Sequence, residues 1–322
     1  MVRIKDVADH AGVSTATVSR VINGKSVKPH LRELVERSVT ALDYRPDLHA
    51  RSLRRQRSDA IALIVPDVEN PFYATLARGV IDVTREAGFS AGLWNSDDLV
   101  DKEAAFLASV LDEKMSGTII AATTQHPPLN ELLADGRAVV AVDRPIALDL
   151  DSVILDNVAL GRRATLDLIE RGYQRIACIT GPLSAHTAVD RAEGWRKEMR
   201  RHKIAFGGLL QRGNARVDGG RTATEELMAL PHPPDAIVAA NNLIGVGVLQ
   251  ALDGQGGRPL GLSVIGELPF ATSRPSTASY IPLHPRQVGE MSARMLIERI
   301  NGLDAGPRLM VQPVSAPETL SW

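Results

Sequence analysis

The chain has 322 residues, 44% of them hydrophobic and 23% charged, with a formal net charge of −1 and one cysteine. That length exceeds one ordinary domain and allows two or three with sizeable cores; no apolar run approaches the roughly 20 residues needed to cross a bilayer, and one cysteine cannot build an internal disulfide. The small net charge conceals an asymmetry: residues 1–58 hold 12 Lys and Arg against 6 Asp and Glu, a balance of +6, and the rest carries −7. Polyanion binding is thereby directed to the N-terminal end.

The first predicted element is a helix in which Ile4, Val7, Ala8 and Ala11 recur at helical spacing, stopped by Gly12, a residue that takes a left-handed backbone at no steric cost. Ser14 then offers its hydroxyl to the free amides of a second helix. Val18, Val21 and Ile22 supply that helix's inner face and leave Thr15, Ala16, Thr17, Ser19 and Arg20 for other faces. Two short helices joined by a tight turn make a helix-turn-helix, whose second helix presents its N-terminal residues to base edges in the major groove. Short side chains at Thr15 and Ala16 allow close approach, and Arg20 can fork onto a guanine. Pro29 suits the first turn of a third helix, with Leu31, Leu34, Val35, Val39 and Leu42 closing a three-helix core. The headpiece ends near Tyr44-Arg45-Pro46. The segment PDLHARSLRRQRS that follows is too short and too polar to fold alone, since isolated helices below roughly 12–15 residues are marginal in water.

The runs AGVSTATVSRVIN, ALDYRP and ARSLRR together resemble the DNA-binding headpiece of the lactose/galactose-repressor (LacI/GalR) family. That resemblance implies a hinge helix over DLHARSLRR that packs against its two-fold mate and enters the minor groove of an operator. There a leucine at the place of Leu53 wedges between base steps, trading unstacking energy for a bend that brings more protein into contact. The expected DNA-contacting residues are Thr15, Ala16, Thr17, Ser19, Arg20 and Asn23 in the headpiece and Arg51, Leu53, Arg54 and Arg55 in the hinge, with Arg54 and Arg55 acting on phosphates. Residues 1–45 form the headpiece, 46–58 the hinge and 59–322 the effector-binding and dimerisation domain.

From residue 60 the pattern changes to short apolar runs alternating with helical stretches. IALIV, SAGLW, GTIIAA and AVVAVD read as buried parallel strands, with helices over 73–87 and 101–115 between them. A second series begins near 157, with strands RIACIT, DAIVAAN and LSVIGEL and helices through GRRATLDLIERG, RAEGWRKEMRRH, GRTATEELMAL and 243–253. The fold class is therefore α/β: an all-α headpiece followed by two doubly wound parallel sheets, similar to the periplasmic-binding-protein fold. The two subdomains are expected at about 59–156 with 284–302, and 157–283 with 303–322. Ligands in such sheets bind beyond the carboxyl ends of the strands, which places a cleft between the two units.

Strand ends supply the pocket candidates. Asn70-Pro71-Phe72-Tyr73 follows the first strand, and in the fold this body resembles, aromatic residues at the places of Phe72 and Tyr73 stack on a sugar ring. Asp143-Arg144 ends the fourth strand, where a carboxylate beside a guanidinium can accept from and donate to adjacent hydroxyls. Arg191 and Asn241 stand where the family places an arginine and an asparagine that hydrogen-bond the effector. The chain departs from the family at Asn241-Asn242, where Asn-Asp is usual, at Gly266-Glu267-Leu268-Pro269, where Gly-Phe-Asp-Asp or similar is usual, and at Leu283, where a polar residue often lines the pocket; one carboxylate that would grip sugar hydroxyls is thus missing, shortened away or replaced by Glu267.

These features point to a homodimeric transcriptional repressor that binds a palindromic operator in double-stranded DNA under the control of a small sugar or nucleoside effector. A corepressor-dependent or activating regulator is the alternative, because sequence does not set the sign of a switch. No phosphate-binding glycine loop with Lys-Ser/Thr, no Gly-x-Ser-x-Gly and no metal-spaced histidine set is present, so neither an enzyme nor a cofactor or metal protein is expected. The N-terminus MVRIKDVADHAG lacks an apolar leader, arguing for a cytoplasmic protein and against a secreted sugar-binding one. Cys178, inside RIACIT, is expected to be a buried strand position.

Overall fold

The computed structural model describes residues 2, 4–22, 27–42, 44, 57–253, 260–268 and 277–319. The chain divides into two compact units, Met1–Asp59 and Ala60–Trp322. In the first, α1 spans Ile4–Ala11, α2 Thr15–Ile22 and α3 Pro29–Ala41. Gly12 has φ +65°, the left-handed stop anticipated after α1. Val7, Ala8, Ala11, Val18, Val21 and Val35 are buried together. Leu34, expected on the inner face of α3, is 43% exposed, while Ser38 is buried in that helix. The Ser38 hydroxyl hydrogen-bonds His10 Nδ1 at 2.9 Å and donates to the Leu34 carbonyl at 2.9 Å, so a polar pin joins α1 to α3. Of the expected hinge at 46–58, residues 46–56 lie outside the described residues.

The second unit holds two six-stranded sheets. Strands β1 (Ala60–Val65), β2 (Ser90–Asn95), β3 (Gly117–Ile120), β4 (Ala138–Asp143), β5 (Asp151–Leu155) and β11 (Leu309–Gln312) form the first lobe's sheet in the order β2-β1-β3-β4-β5-β11, parallel throughout. Strands β6 (Ile176–Thr180), β7 (Leu210–Arg212), β8 (Ala236–Ala239), β9 (Gly261–Ile265), β10 (Ala278–Ile281) and β12 (Glu318–Thr319) repeat that pattern in the second lobe, with β12 antiparallel. Helices α4 (Pro71–Glu86), α5 (Val100–Asp112), α6 (Asn130–Ala134), α7 (Asn157–Glu170), α8 (His186–Arg201), α9 (Val217–Met228), α10 (Asn242–Leu252) and α11 (Pro285–Ile300) connect the strands. Four-residue all-buried runs such as GTII and AIVA show why these are central strands: both faces are covered by helices, so hydrophobicity is continuous rather than alternating.

Two differences from the sequence expectation concern the first sheet. DSVIL forms a fifth strand before the second series begins, and residues 309–312, expected in the second subdomain, add to the first sheet beside β5. The chain thus crosses between lobes three times, after β5, after β10 and after β11. Asp151 explains how the last segment is held. Its buried carboxylate accepts from Arg299 Nε and Nη2 at 3.0 and 2.8 Å and from Arg308 Nη2 and backbone N at 2.7 and 2.9 Å. Burial opposes this charge, yet the hydrogen bonds from Arg299 and Arg308 pull the carboxyl down to about 2.

Candidate functional site

In the headpiece, Ser14 caps α2 as anticipated: its hydroxyl accepts from the Thr17 amide at 3.2 Å and lies 3.0 Å from the Thr17 hydroxyl. With Val18 and Val21 buried, Thr15, Ala16 and Arg20 are exposed and Thr17 and Ser19 half-buried. One face of a short, capped helix therefore carries hydroxyls, a methyl and a guanidinium, the equipment for reading base edges. Asn23, Arg51, Leu53, Arg54 and Arg55 lie outside the described residues.

In the body, the carboxyl ends of both sheets converge on a cavity of about 200 Å³. The strand order 2-1-3-4-5 reverses direction between β1 and β3, and between β6 and β8, which opens a crevice at those ends. All eight proposed contacts line the cavity: Asn70, Arg144, Asn241 and Glu267 from loops at those ends, Phe72 and Tyr73 from the first turn of α4, Asp143 from the end of β4 and Arg191 from α8. How each is held differs.

On the first lobe, Asn70 caps α4 by accepting from the Phe72 amide at 3.0 Å. Phe72 and Tyr73 meet edge to face, ring centroids 5.1 Å apart, and the Tyr73 hydroxyl donates to Asp143 at 2.8 Å. Burial, then the Asp143 charge, push the phenol well above its ordinary range, so it remains a neutral donor. Asp143 ends β4 with φ +64°, a left-handed backbone that costs an aspartate of order 1–3 kcal/mol and turns its side chain out of the sheet. Arg144 forks onto Asp98, with Nη1 at 2.5 Å and Nη2 at 3.2 Å. Burial works against the Arg144 charge, but Tyr73, Asp98 and Asp143 raise it above its usual value. Its Nε is buried without a hydrogen-bond partner among the described residues, an orphan of the kind a ligand or bound water satisfies.

On the second lobe, Arg191 donates from Nε to Asn157 at 2.8 Å and from Nη1 to the Ala240 carbonyl at 2.7 Å. Burial lowers its affinity for the proton, against the opposing pull of the Asp143 charge. Helix α8 brings it there because it packs directly on α7: a methyl on Gly161 would stand 2.0 Å from the Arg191 carbonyl. Asn241 is committed to the scaffold, accepting from the Ile244 amide at 2.7 Å as the cap of α10 and donating to the Ala215 carbonyl at 2.9 Å. Glu267 accepts through Oε1 from the amides of Leu283 and His284, both at 3.1 Å, and so ties β9 to the crossover after β10.

Two lining residues, Asp98 and Arg216, carry no motif in the sequence, and Asn242 is marked there only as a departure from the family. Asp98 pairs with Arg144, Asn242 donates across the cleft to Asn70 at 3.2 Å, and Arg216 reaches Asp67 at 3.4 Å and also Glu69. The one local trace of them is acidic and amide-rich loops; Asp97, Asp98 and Ala215 share positive φ values of 54°, 56° and 60°. Cys178 is buried in β6 and burial pushes its thiol up to about 12, which leaves it outside any chemistry of the site. Among the described residues no helix is long and apolar enough to cross a membrane, and no cluster of metal-ligating side chains occurs.

Comparison with known proteins gives a consistent picture. Residues 3–47 match the family model for bacterial regulatory proteins of the lacI family, and 58–317 that for periplasmic binding proteins and the sugar-binding domain of the LacI family. The chain is 35% identical to the ribose operon repressor of Escherichia coli K12 over 93% of each protein. It is 33% identical to that of Halalkalibacterium halodurans over 93% of this chain and 91% of the relative. A solved complex of the transcriptional regulator CelR with cellobiose superposes with TM-score 0.72 at 28% identity, covering 99% of this chain and 100% of that one. The lac repressor dimer bound to operator shares the fold with TM-score 0.79 at 24% identity, over 99% and 98% of the two chains.

Proposed function

Because the chain belongs to the lacI family of bacterial regulatory proteins, we propose that its cleft takes a neutral, single-ring sugar and that this ligand sets the operator affinity of the headpiece. The protein is a dimeric, DNA-binding transcriptional repressor whose body binds a small effector. The observation that carries the finer reading is the charge and size of the cleft. Five carboxylates (Asp67, Asp97, Asp98, Asp143 and Glu267) face three guanidiniums (Arg144, Arg191 and Arg216). A phosphorylated ligand would add negative charge to a wall that already carries an excess of it, whereas a polyol can donate to Asp143 and accept from Arg191 without leaving either uncompensated. A cavity of about 200 Å³ is small beside the roughly 300–1,000 Å³ of clefts that hold drug-sized ligands, and suits one ring rather than two.

In this reading Asn70, Phe72, Tyr73, Asp143, Arg144 and Arg191 contact the effector, while Asn241 and Glu267 shape the cleft from behind. Thr15, Ala16, Thr17, Ser19, Arg20 and Asn23 read bases, and Arg51, Leu53, Arg54 and Arg55 belong to a hinge that orders on DNA. The protein works in the cytoplasm, and no catalytic step is involved. Thermal-shift screening of the full-length protein tests the ligand class, because a ligand at a hundred times its Kd stabilises by about 2.7 kcal/mol. Stabilisation by at least one free monosaccharide and not by its phosphate is expected; stabilisation by sugar phosphates alone contradicts the proposal.

A further inference from the structure

We propose that Arg216 is the gate that fixes effector length, closing the inner cavity to a second sugar ring; this rests on the neutral-sugar reading above. Its side chain crosses from the second lobe to the first, pairing with Asp67 at 3.4 Å and with Glu69. It lines the inner cavity on one side, and on the other it lines an open groove together with Glu69, Val217, Asp218, Arg221 and Gln250. The ion pair therefore stands at the boundary between an inner cavity that suits one ring and a more open groove whose amide, carboxylate and guanidinium could serve another.

The gate stands on a fixed stem. Ala215, immediately before it, has φ +60°, and Asn241 donates to its carbonyl at 2.9 Å. Asn214 accepts from the Arg216 amide at 3.0 Å through the same side chain that donates to Asp218. The backbone is thus held on both sides and only the side chain is left to swing. Its partners on the first lobe are held as well: Asp67 accepts from the Glu69 amide at 3.0 Å, and Asn95 accepts from the Val68 amide at 3.2 Å. Beside the gate, Asn242 donates to Asn70 across the cleft at 3.2 Å. An aspartate at 242 would set a carboxylate against the Asn70 oxygen that already caps α4, so the amide at this position supports closure where an acid would oppose it. A pair that is 39% exposed on the arginine and 74% on Glu69 is weakened by salt, which makes the gate readable through ionic strength even though its ligand is uncharged.

The test uses the full-length protein, paired probes (D-glucose with cellobiose, D-xylose with xylobiose) and Arg216→Ala. Calorimetry should give a disaccharide-to-monosaccharide affinity ratio at least tenfold higher in the variant than in wild type. The charge-exchanged double variant Arg216→Glu, Glu69→Arg should return that ratio towards wild type. Hydrogen exchange at amides 67–70, measured without sugar, should be at least threefold faster in Arg216→Ala, and should rise with salt between 0.05 and 0.5 M NaCl in wild type alone. An unchanged affinity ratio, or exchange at 67–70 that responds neither to the substitution nor to salt, overturns the gate. If wild type binds no monosaccharide, the neutral-sugar reading fails by itself, and the sugar-free exchange measurement still decides whether Arg216 closes the cleft.

Discussion

The headpiece is held together by features close in sequence, the body's cleft by features far apart. Ser14 caps α2 through an amide three residues on, and the pin from His10 to Ser38 spans 28 residues. In the cleft, Tyr73 reaches Asp143 over 70 residues, Arg144 reaches Asp98 over 46, and Asn242 reaches Asn70 over 172. The difference teaches where each unit is vulnerable. A reading helix presents a preformed surface, so a substitution there removes little beyond its own contact. The cleft is a coupled set of charges, with Asp143 and Arg191 buried among them, in which removing one partner leaves another uncompensated.

The largest effect should come from the body's buried carboxylate. Asp151→Asn removes the buried charge that Arg299 and Arg308 share, leaving Arg308 with Glu298 and Arg299 with backbone carbonyls, and urea denaturation at pH 7 should show a loss of about 3 kcal/mol. Asp151 titrates lower in the folded protein than the usual 3.8. Its contribution is therefore complete above pH 3.8 and disappears as pH falls towards 2, and the variant should lack that part of the acid loss. Next is Arg191→Ala, which should weaken effector binding by about 1.5–3 kcal/mol, roughly 10- to 150-fold, with effector-free operator binding unchanged. Gly161→Ala should act in the same direction by displacing α8, as ligand titration would show. In the headpiece, Arg20→Ala should cost about 1–3 kcal/mol on the specific operator and far less on random DNA, measured by fluorescence anisotropy at fixed salt. The smallest effect belongs to Ser14→Ala, which should lower stability by about 1 kcal/mol through loss of the α2 cap. Long-range disruption of operator reading by Ser14→Ala alone, or a purely local effect of Asp151→Asn, would erase the contrast.

The same contrast explains what the sequence made legible. Gly12, Ser14 and the spacing of Val18 and Val21 announce the helix-turn-helix because cap, stop and inner face all lie within a dozen residues. Strand ends of the body were legible too, since a run such as AVVAVD ends at the residue that turns out of the sheet, Asp143. Asp98 and Arg216 were not, because each sits in a polar loop and acquires its role only from a partner brought up by another strand. Asn241 and Glu267 stand at the right strand ends, yet their hydrogen bonds go to Ile244 and Ala215, and to Leu283 and His284; position along a strand does not reveal what a side chain is already bonded to. The lobe that residues 309–312 join as β11 is not legible for a related reason. Leu309, Met310 and Val311 are 63%, 45% and 47% exposed, and an edge strand without a buried face carries no pattern that says which sheet it joins.

The central claim is that a neutral sugar in the cleft controls what α2 does on DNA. The most direct measurement is operator affinity of the full-length dimer, by anisotropy at fixed salt, on a palindrome selected by the protein from random duplexes, with and without each monosaccharide that raises its melting temperature. Coupling of 1–3 kcal/mol predicts that at least one such sugar changes operator affinity about 5- to 150-fold in wild type and leaves Arg191→Ala unmoved at the same concentration. Operator affinity that no stabilising sugar alters, or that shifts equally in Arg191→Ala, would contradict it.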